Sequence, residues 1–528
     1  MTHLNRRTFL GATIALAAPR FAFAQNPPLT LTATTRTLDI DGRAATVYGL
    51  MNGSGGIGLT LDPGQRFAAT LTNYLTVETL IHWHGQIPPN QQDGVPGMPT
   101  PLLRPGEARR YDFAAKPGTH WMHSHVPLQE MALLAAPLIV RTEADVKADR
   151  QEVVMLLHDF SFKSPEEVMA EITGSAIDRG QSGGKVKGKP AGTDMSGMMG
   201  ADGHETMPGM EKGAPGDGMD MSGMKMGADG AMNMTDGGMN KTHGEMDMSG
   251  GGMNMPGGMD LNDYDFDAYL TNDRTLSDPQ LVDVEAGGRI RLRIINGSAA
   301  TVFWIDTGRT EARLMAVDGH DVRPIKGTRF GLAMGQRLDI EVDLPGAGAF
   351  PILALREGAR EQTGLILATP RAKVPKLPAL AETAAPAFDT DLRQENALRA
   401  AYPLVDKPAA NTTSLILAGA MQPYVWTLNG QTWATHQPVL AKSGERVEIT
   451  FHNTSMMGHP MHLHGHSFQV VNTGAGRFAG ALRDTVYVPP MARVTIALDA
   501  GEAAAWMLHC HHMPHLAKGM MTEFMVSA

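Results

Sequence analysis

Most of the chemistry available to this chain of 528 residues lies in four His-x-His pairs and one cysteine. The pairs are His82 and His84 in HWHG, His123 and His125 in HSH, His462 and His464 in HLH, and His509 and His511 in HCH. On a strand, residues two apart project from the same face, so each pair delivers two imidazoles side by side. A single pair reads equally well as two surface or hydrogen-bonded histidines. Four pairs, two near each end of the chain, point instead to a cage of eight imidazoles for metal. Cys510, the only cysteine, stands between His509 and His511. If these histidines face one way, the thiol must face the other, so the tripeptide joins two different metal sites through a few covalent bonds. On the thiol side the chain offers His515, Met520, and His459 from GHPMHLHG. Two histidines, a cysteine and a distant methionine make the ligand set of a blue-copper electron-transfer centre. Zinc also suits Cys and His, but it has no redox use for such a conduit and prefers closed tetrahedral sites, so copper is favoured.

The elements that must position these residues repeat. GQRFAATLTN (64–73), GGRIRLRIIN (287–296) and GERVEITFHN (444–453) each begin with a turn glycine, carry an arginine two residues on, alternate apolar and polar, and close on asparagine. Alternation between turn signals predicts half-buried strands, and three copies predict a triplicated β-domain. Short runs such as EVVMLLHDF, RLDIEVDL and RVTIALDA, separated by Gly, Pro and Asp, support an all-β chain of three sandwiches. The expected domains are 27–146, 147–375 and 395–528, with a linker over 376–394 in and after the Pro/Ala-rich stretch that starts at Lys373.

The second of these domains is interrupted. Residues 191–260 contain no aromatic residue and no Leu, Ile or Val, but about half of the chain's 36 methionines, in runs such as MSGMM, MDMSGMKM and EMDMSGGGMNM. Such a stretch cannot build a core and is expected to be disordered when unliganded. Thioether sulfur is a soft ligand suited to Cu(I), and Gly/Ser spacers let several methionines wrap one ion, so additional Cu(I) is expected here. An incidental linker is the plainer alternative, but it leaves so many exposed, oxidisable methionines unexplained.

The N-terminus combines Arg6 and Arg7, an apolar run from Phe9 to Ala18, and Ala-x-Ala at Ala22 to Ala24. This reads as a twin-arginine export signal over 1–24, with the mature chain periplasmic and the apolar run too short to span a bilayer. One cysteine cannot form an internal disulfide. A net charge of -10 provides no basic face for nucleic acid.

Taken with their order, these motifs resemble those of bacterial three-domain multicopper oxidases, in particular the periplasmic copper-resistance and cuprous-oxidase branch. The resemblance spans most of the mature chain and implies three cupredoxin-like Greek-key sandwiches and four copper ions. By position, His459, Cys510 and His515 match the type 1 copper ligands, with Met520 in the axial place. His82 and His462 match the type 2 ligands; His84, His123, His125, His464, His509 and His511 match those of the type 3 pair. The implied reaction is one-electron oxidation of a donor at type 1 copper, transfer through Cys510, and reduction of O2 to water. That reduction consumes protons, and Asp93 in NQQDGVPG stands where similar enzymes carry a proton-relay aspartate; as a bare residue type it is also a turn former before Gly94.

The chain departs from the resemblance at HNTSMMGH, where relatives often carry an acid before the first type 1 histidine and this chain has Thr454 and Ser455. Met456 and Met457, beside His459, are expected to receive Cu(I). His120 and His512 fall outside the pattern and receive no role; His158, His436, His452 and His466 are read as structural or surface residues. Three functions follow: a Cu(I) oxidase serving copper tolerance, a laccase-like phenol oxidase, and a copper-sequestering protein. Storage needs no O2 site, which argues against the third, and the methionines favour Cu(I) over phenols. The expected partners are O2, the electron donor and the twin-arginine machinery, with the chain monomeric and not stably inserted in a membrane.

Overall fold

The computed structural model describes residues 29–174 and 261–528. The export signal read at 1–24 and the methionine-rich stretch at 191–260 lie outside them. The regular structure of the described chain is almost entirely strand, folded as three sandwiches of paired sheets with four short α-helices. The first sandwich has two four-stranded sheets; the second and third each pair a six-stranded with a five-stranded sheet. Each encloses its own apolar core, led respectively by Phe67 and Trp83, by Leu292 and Phe303, and by Phe451 and Trp506.

The three sequence repeats occupy equivalent places. Phe67–Asn73 lies between a parallel neighbour, Leu29–Ile40, and an antiparallel one, Ala108–Phe113. Arg289–Asn296 lies likewise between Gln151–Phe160 and Arg337–Asp343, and Arg446–Asn453 between Asn411–Met421 and Arg493–Asp499. The repeated residues have repeated tasks. Gly64, Gly287 and Gly444 turn the chain with φ of 74°, 73° and 81°, a region open to glycine. Arg66, Arg289 and Arg446 pair across the strand with Asp112, Asp343 and Asp499 at 2.7, 2.9 and 3.0 Å. Asn73, Asn296 and Asn453 are buried, and each accepts the N–H two residues on while its amide donates to at least two backbone carbonyls. An asparagine is thus required where each strand opens into its loop, because it closes backbone groups that would otherwise be buried unpaired.

One expectation changes. Phe67–Asn73 alternates buried and half-buried as the pattern predicts, but Arg289–Asn296 is buried on both faces beyond its first residue. The reason is an ion-pair layer: Arg291 and Arg293 meet Asp145, Glu152 and Asp339, and Arg293 also donates to Thr119 of the first sandwich at 3.1 Å. The Pro/Ala-rich stretch after the second sandwich lies along it, with Gln362, Ala381 and Ala385 in backbone hydrogen bonds. No helix among the described residues is long and apolar enough to cross a membrane.

Candidate metal centre

The histidine pairs come from strand ends of the first and third sandwiches. His82 ends the strand Ile81–His82 and is in register with His123 on Gly118–Ser124. His462 on His459–Leu463 is in register with His509 on Ala505–Cys510. All eight imidazoles are buried and converge. Three groups form, each with donor atoms within 4.8 Å of one another: His82, His84 and His462; His84, His123 and His511; His125, His464 and His509.

Each group fits a metal by its nitrogen accounting. One nitrogen of most rings is held from outside: His82 Nδ1 donates to the Asp93 carbonyl at 2.8 Å, His462 Nδ1 to the Asp484 carbonyl at 2.8 Å, and His509 Nδ1 to the Cys510 carbonyl at 2.9 Å. His464 Nδ1 donates to Asp93 Oδ2 at 2.8 Å, and His84 Nε2 to Asp484 Oδ1 at 3.0 Å. The inward nitrogens, His82 Nε2, His84 Nδ1, His123 Nε2, His125 Nε2, His462 Nε2 and His511 Nε2, have no partner among the described residues. A buried unsatisfied nitrogen costs about 1–3 kcal/mol, so six together make sense only as ligands. Burial, then repulsion from neighbouring imidazoles, keeps His82, His464, His509 and His511 well below the usual histidine range, hence neutral and able to coordinate.

Cys510 faces away from this cage, as the alternation requires. Its Sγ is 3.7 Å from both His459 Nδ1 and His515 Nδ1, and these two nitrogens are 3.2 Å apart. Burial pushes the thiol up, so a metal must displace its proton. Met520 is fully buried, and its backbone brackets the site: its carbonyl accepts the Cys510 N–H and its own N–H donates to His515, each at 3.0 Å. Trp426 stacks on His515 at 3.9 Å, and Ser455 Oγ bonds His459 Nε2 at 2.8 Å, so the residue standing in the expected acidic stretch orients a ligand. Met456 is 46 % exposed, whereas Met457 is buried in the core of the third sandwich, so only the first is open to an incoming ion.

Asp93 is buried, spans His82 and His464, and is raised to about 8 by desolvation. It also follows the short turn Asn90–Gln92, as its residue type before Gly94 suggested. Four features escaped the sequence. Asp484 binds His84 and is itself clamped by Arg337 of the second sandwich, which donates at 2.7 Å. Glu130 lies 3.0 Å from His123 Nδ1. Asp263, just after the methionine-rich stretch, is bonded by the Tyr424 hydroxyl and stands 3.5 Å from His515 Nε2. His512, given no role above, is buried and stacks on His515 at 3.9 Å. None of these carries a local motif; an isolated acid in a loop reads as solvated. His120 is buried but bonds the Pro117 carbonyl at 3.1 Å and joins no ligand group named above.

Models of the multicopper oxidase family match residues 32–145, 232–372 and 406–528. The chain is 28% identical to the multicopper oxidase MmcO of Mycobacterium tuberculosis, over 98% of this chain and 96% of that protein. It is 24% identical to copper resistance protein A of Escherichia coli, over 98% and 95%. The fold is similar to that of a variant of the McoA multicopper oxidase from Aquifex aeolicus, with a TM-score of 0.63, 20% identity, and coverage of 96% and 97%. Family models over most of its length, and buried histidine and cysteine groups suited to copper, place this chain in the multicopper oxidase family, as a copper-dependent oxidoreductase.

Proposed function

We propose that the chain oxidises Cu(I) to Cu(II) and uses the electrons to reduce O2 to water, in the service of copper tolerance in the periplasm after twin-arginine export. His459, Cys510 and His515, with Met520 axial, would hold type 1 copper; His82 and His462 type 2; His84, His123 and His511, and His125, His464 and His509, the type 3 pair. Four ions so bound would supply one-electron acceptance at the first site and, at the other three, reduction of one O2 by four electrons and four protons to two waters. The domains would be those expected from the sequence, 27–146, 147–375 and 395–528, the second holding the other two in register.

The chain's own residues divide the work. Cys510 and its neighbours His509 and His511 link the two sites by a few covalent bonds. Asp93, buried between His82 and His464, is the group placed to hold a proton beside the cage. Electron donors arrive near His515, the ligand whose outer edge faces Asp263.

The observation that carries the cuprous reading is Asp263. Its carboxylate is buried beside His515 with no Lys or Arg ion pair among the described residues, and one oxygen, Oδ1, has no partner. A buried anion that faces only a tyrosine hydroxyl and two histidines among the described residues favours a cation over a neutral phenol. It also follows directly on the stretch whose methionines suit Cu(I). Asp263→Asn keeps the shape and removes the charge. Steady-state O2 uptake is expected to show KM for Cu(I) raised about tenfold, on the order of 1.4 kcal/mol, with phenol turnover changed far less. Equal losses on both donors would refute a Cu(I)-specific role and leave a laccase-like oxidase.

A further inference from the structure

Three carboxylates touch the histidine cage, and two have been accounted for: Asp93 with His82 and His464, Asp484 with His84 and His462. The third, Glu130, is 1 % exposed and comes from the loop after the second histidine pair. Its Oε2 is 3.0 Å from His123 Nδ1 and its Oε1 is 3.9 Å from His511 Nδ1. His123 Nδ1 donates to the Ser124 carbonyl at 3.1 Å, and among the described residues neither Glu130 oxygen and neither ring nitrogen of His511 has a hydrogen-bond partner. His123 belongs to the first sandwich and His511 to the third, and both fall in one ligand group with His84.

The loop is built to hold this acid in place. Gln129, the preceding residue, accepts from Thr79 Oγ1 at 2.7 Å and from Ser124 Oγ at 2.8 Å, while its amide donates to the Glu78 carbonyl at 2.8 Å. The loop closes on itself through Leu133 N–H to the Glu130 carbonyl at 2.9 Å. Leu128 and Leu133 take φ of 69° and 65°, a conformation that apolar L-residues adopt only when their surroundings require it. Trp121 stacks on His123 at 4.2 Å from the opposite side. Strain and the three side-chain bonds of Gln129 thus hold a carboxylate that meets no arginine or lysine among the described residues.

We infer that Glu130 is a positioning residue shared by His123 and His511. In the copper-loaded protein it would accept the Nδ1 hydrogen of His511 and share that of His123 with the Ser124 carbonyl, leave both Nε2 atoms for the metal, and so tie one type 3 copper across the boundary between the first and third sandwiches. An ionised carboxylate is acceptor-only with two oxygens, so one side chain can serve two imidazoles. Holding the outer N–H selects the tautomer and raises ligand basicity, and loss of such a partner costs about 10–100-fold in metal affinity. This inference rests on the proposed assignment of His84, His123 and His511 to one copper.

The test uses the copper-loaded full chain, with Glu130→Ala and Glu130→Gln, reading the blue absorption, copper per chain during chelator challenge, and electron paramagnetic resonance. In the unaltered chain the paired coppers would be coupled and silent. Glu130→Ala is expected to keep the blue band, release cluster copper about 10–100-fold more readily, and make the remaining copper of the pair visible by resonance. Glu130→Gln, isosteric and still an acceptor for one imidazole, is expected to fall between, and it decides the matter if the alanine variant does not fold. Wild-type retention and a silent pair in both variants would overturn the inference. Loss of blue colour in step with cluster copper would overturn it too, by showing a general folding role. An unaltered chain with no silent pair would remove the copper assignment itself.

Discussion

At the scale of single residues, Cys510 bears the heaviest demand, since one backbone segment presents sulfur to His459 and His515 and imidazoles to the opposite site. The colour of a blue centre comes from charge transfer between thiolate and copper, so a serine hydroxyl in the same place cannot reproduce it. Cys510→Ser is expected to yield a folded, colourless protein with no oxidase activity. Visible absorption of the copper-loaded variant checks this, and a persistent blue band would remove Cys510 from the site. The cysteine and the histidine spacings were readable in the sequence because period-two alternation converts spacing into facing. Asp484, Glu130 and Asp263 were not, because each sits outside the regular strands, where spacing along the chain does not say which histidine a side chain meets.

Elements set how accurately these residues meet. The loop carrying Asp93 turns back beneath Ile81–His82 at Gly94, whose φ is +86° and where a Cβ would lie 1.9 Å from the Ile81 carbonyl oxygen. That neighbour is backbone and belongs to the strand bearing a ligand, so it cannot give way. Gly94→Ala is expected to destabilise the chain by roughly 2–4 kcal/mol and to displace Asp93 from His82 and His464. A lower thermal midpoint together with loss of copper from the cage checks this; an unchanged midpoint would mean that the loop relocates freely. The three repeats were legible as strands because glycine, arginine and asparagine recur at fixed distances. The full burial of the middle copy was not, since the arginines that look solvent-facing in sequence are neutralised by acids from other strands.

Across the whole molecule, the cage lies between the first and third sandwiches, and Arg337 of the second is tied to it. Arg337 donates to both oxygens of Asp484 and to the Thr119 carbonyl, so one guanidinium touches all three sandwiches. Burial alone would raise Asp484, yet Arg337 holds it well below the usual carboxylate range, leaving an anion to orient His84 and His462. Arg337→Leu strands that charge and is expected to cost about 3–5 kcal/mol, with copper lost from the cage before the Cys510 site; denaturant midpoints and copper counts measure both. Deleting residues 191–260 is a different kind of change. It removes methionines but no core-forming side chain, so a folded blue enzyme is expected, with Cu(I) oxidation reduced most at low copper and phenol oxidation undiminished. If O2 uptake with both donors falls by the same factor, the stretch does not supply copper.

The sequence by itself determined the strand repeats, the pairing of histidines on shared faces, and the two-sided placement of Cys510, because each depends only on the alternation of a β-strand. It also marked out the methionine-rich stretch, which composition alone separates from any packed core. Tertiary structure decided which imidazoles lie within reach of one another, since those sets combine residues from both ends of the chain. It decided, too, which further acids stand behind them: Asp484 and Glu130 at the cage and Asp263 at the Cys510 site lie within a few ångströms of histidines that no sequence pattern pairs with them. Hydrogen bonding and desolvation depend on such distances, and local patterning carries no record of them.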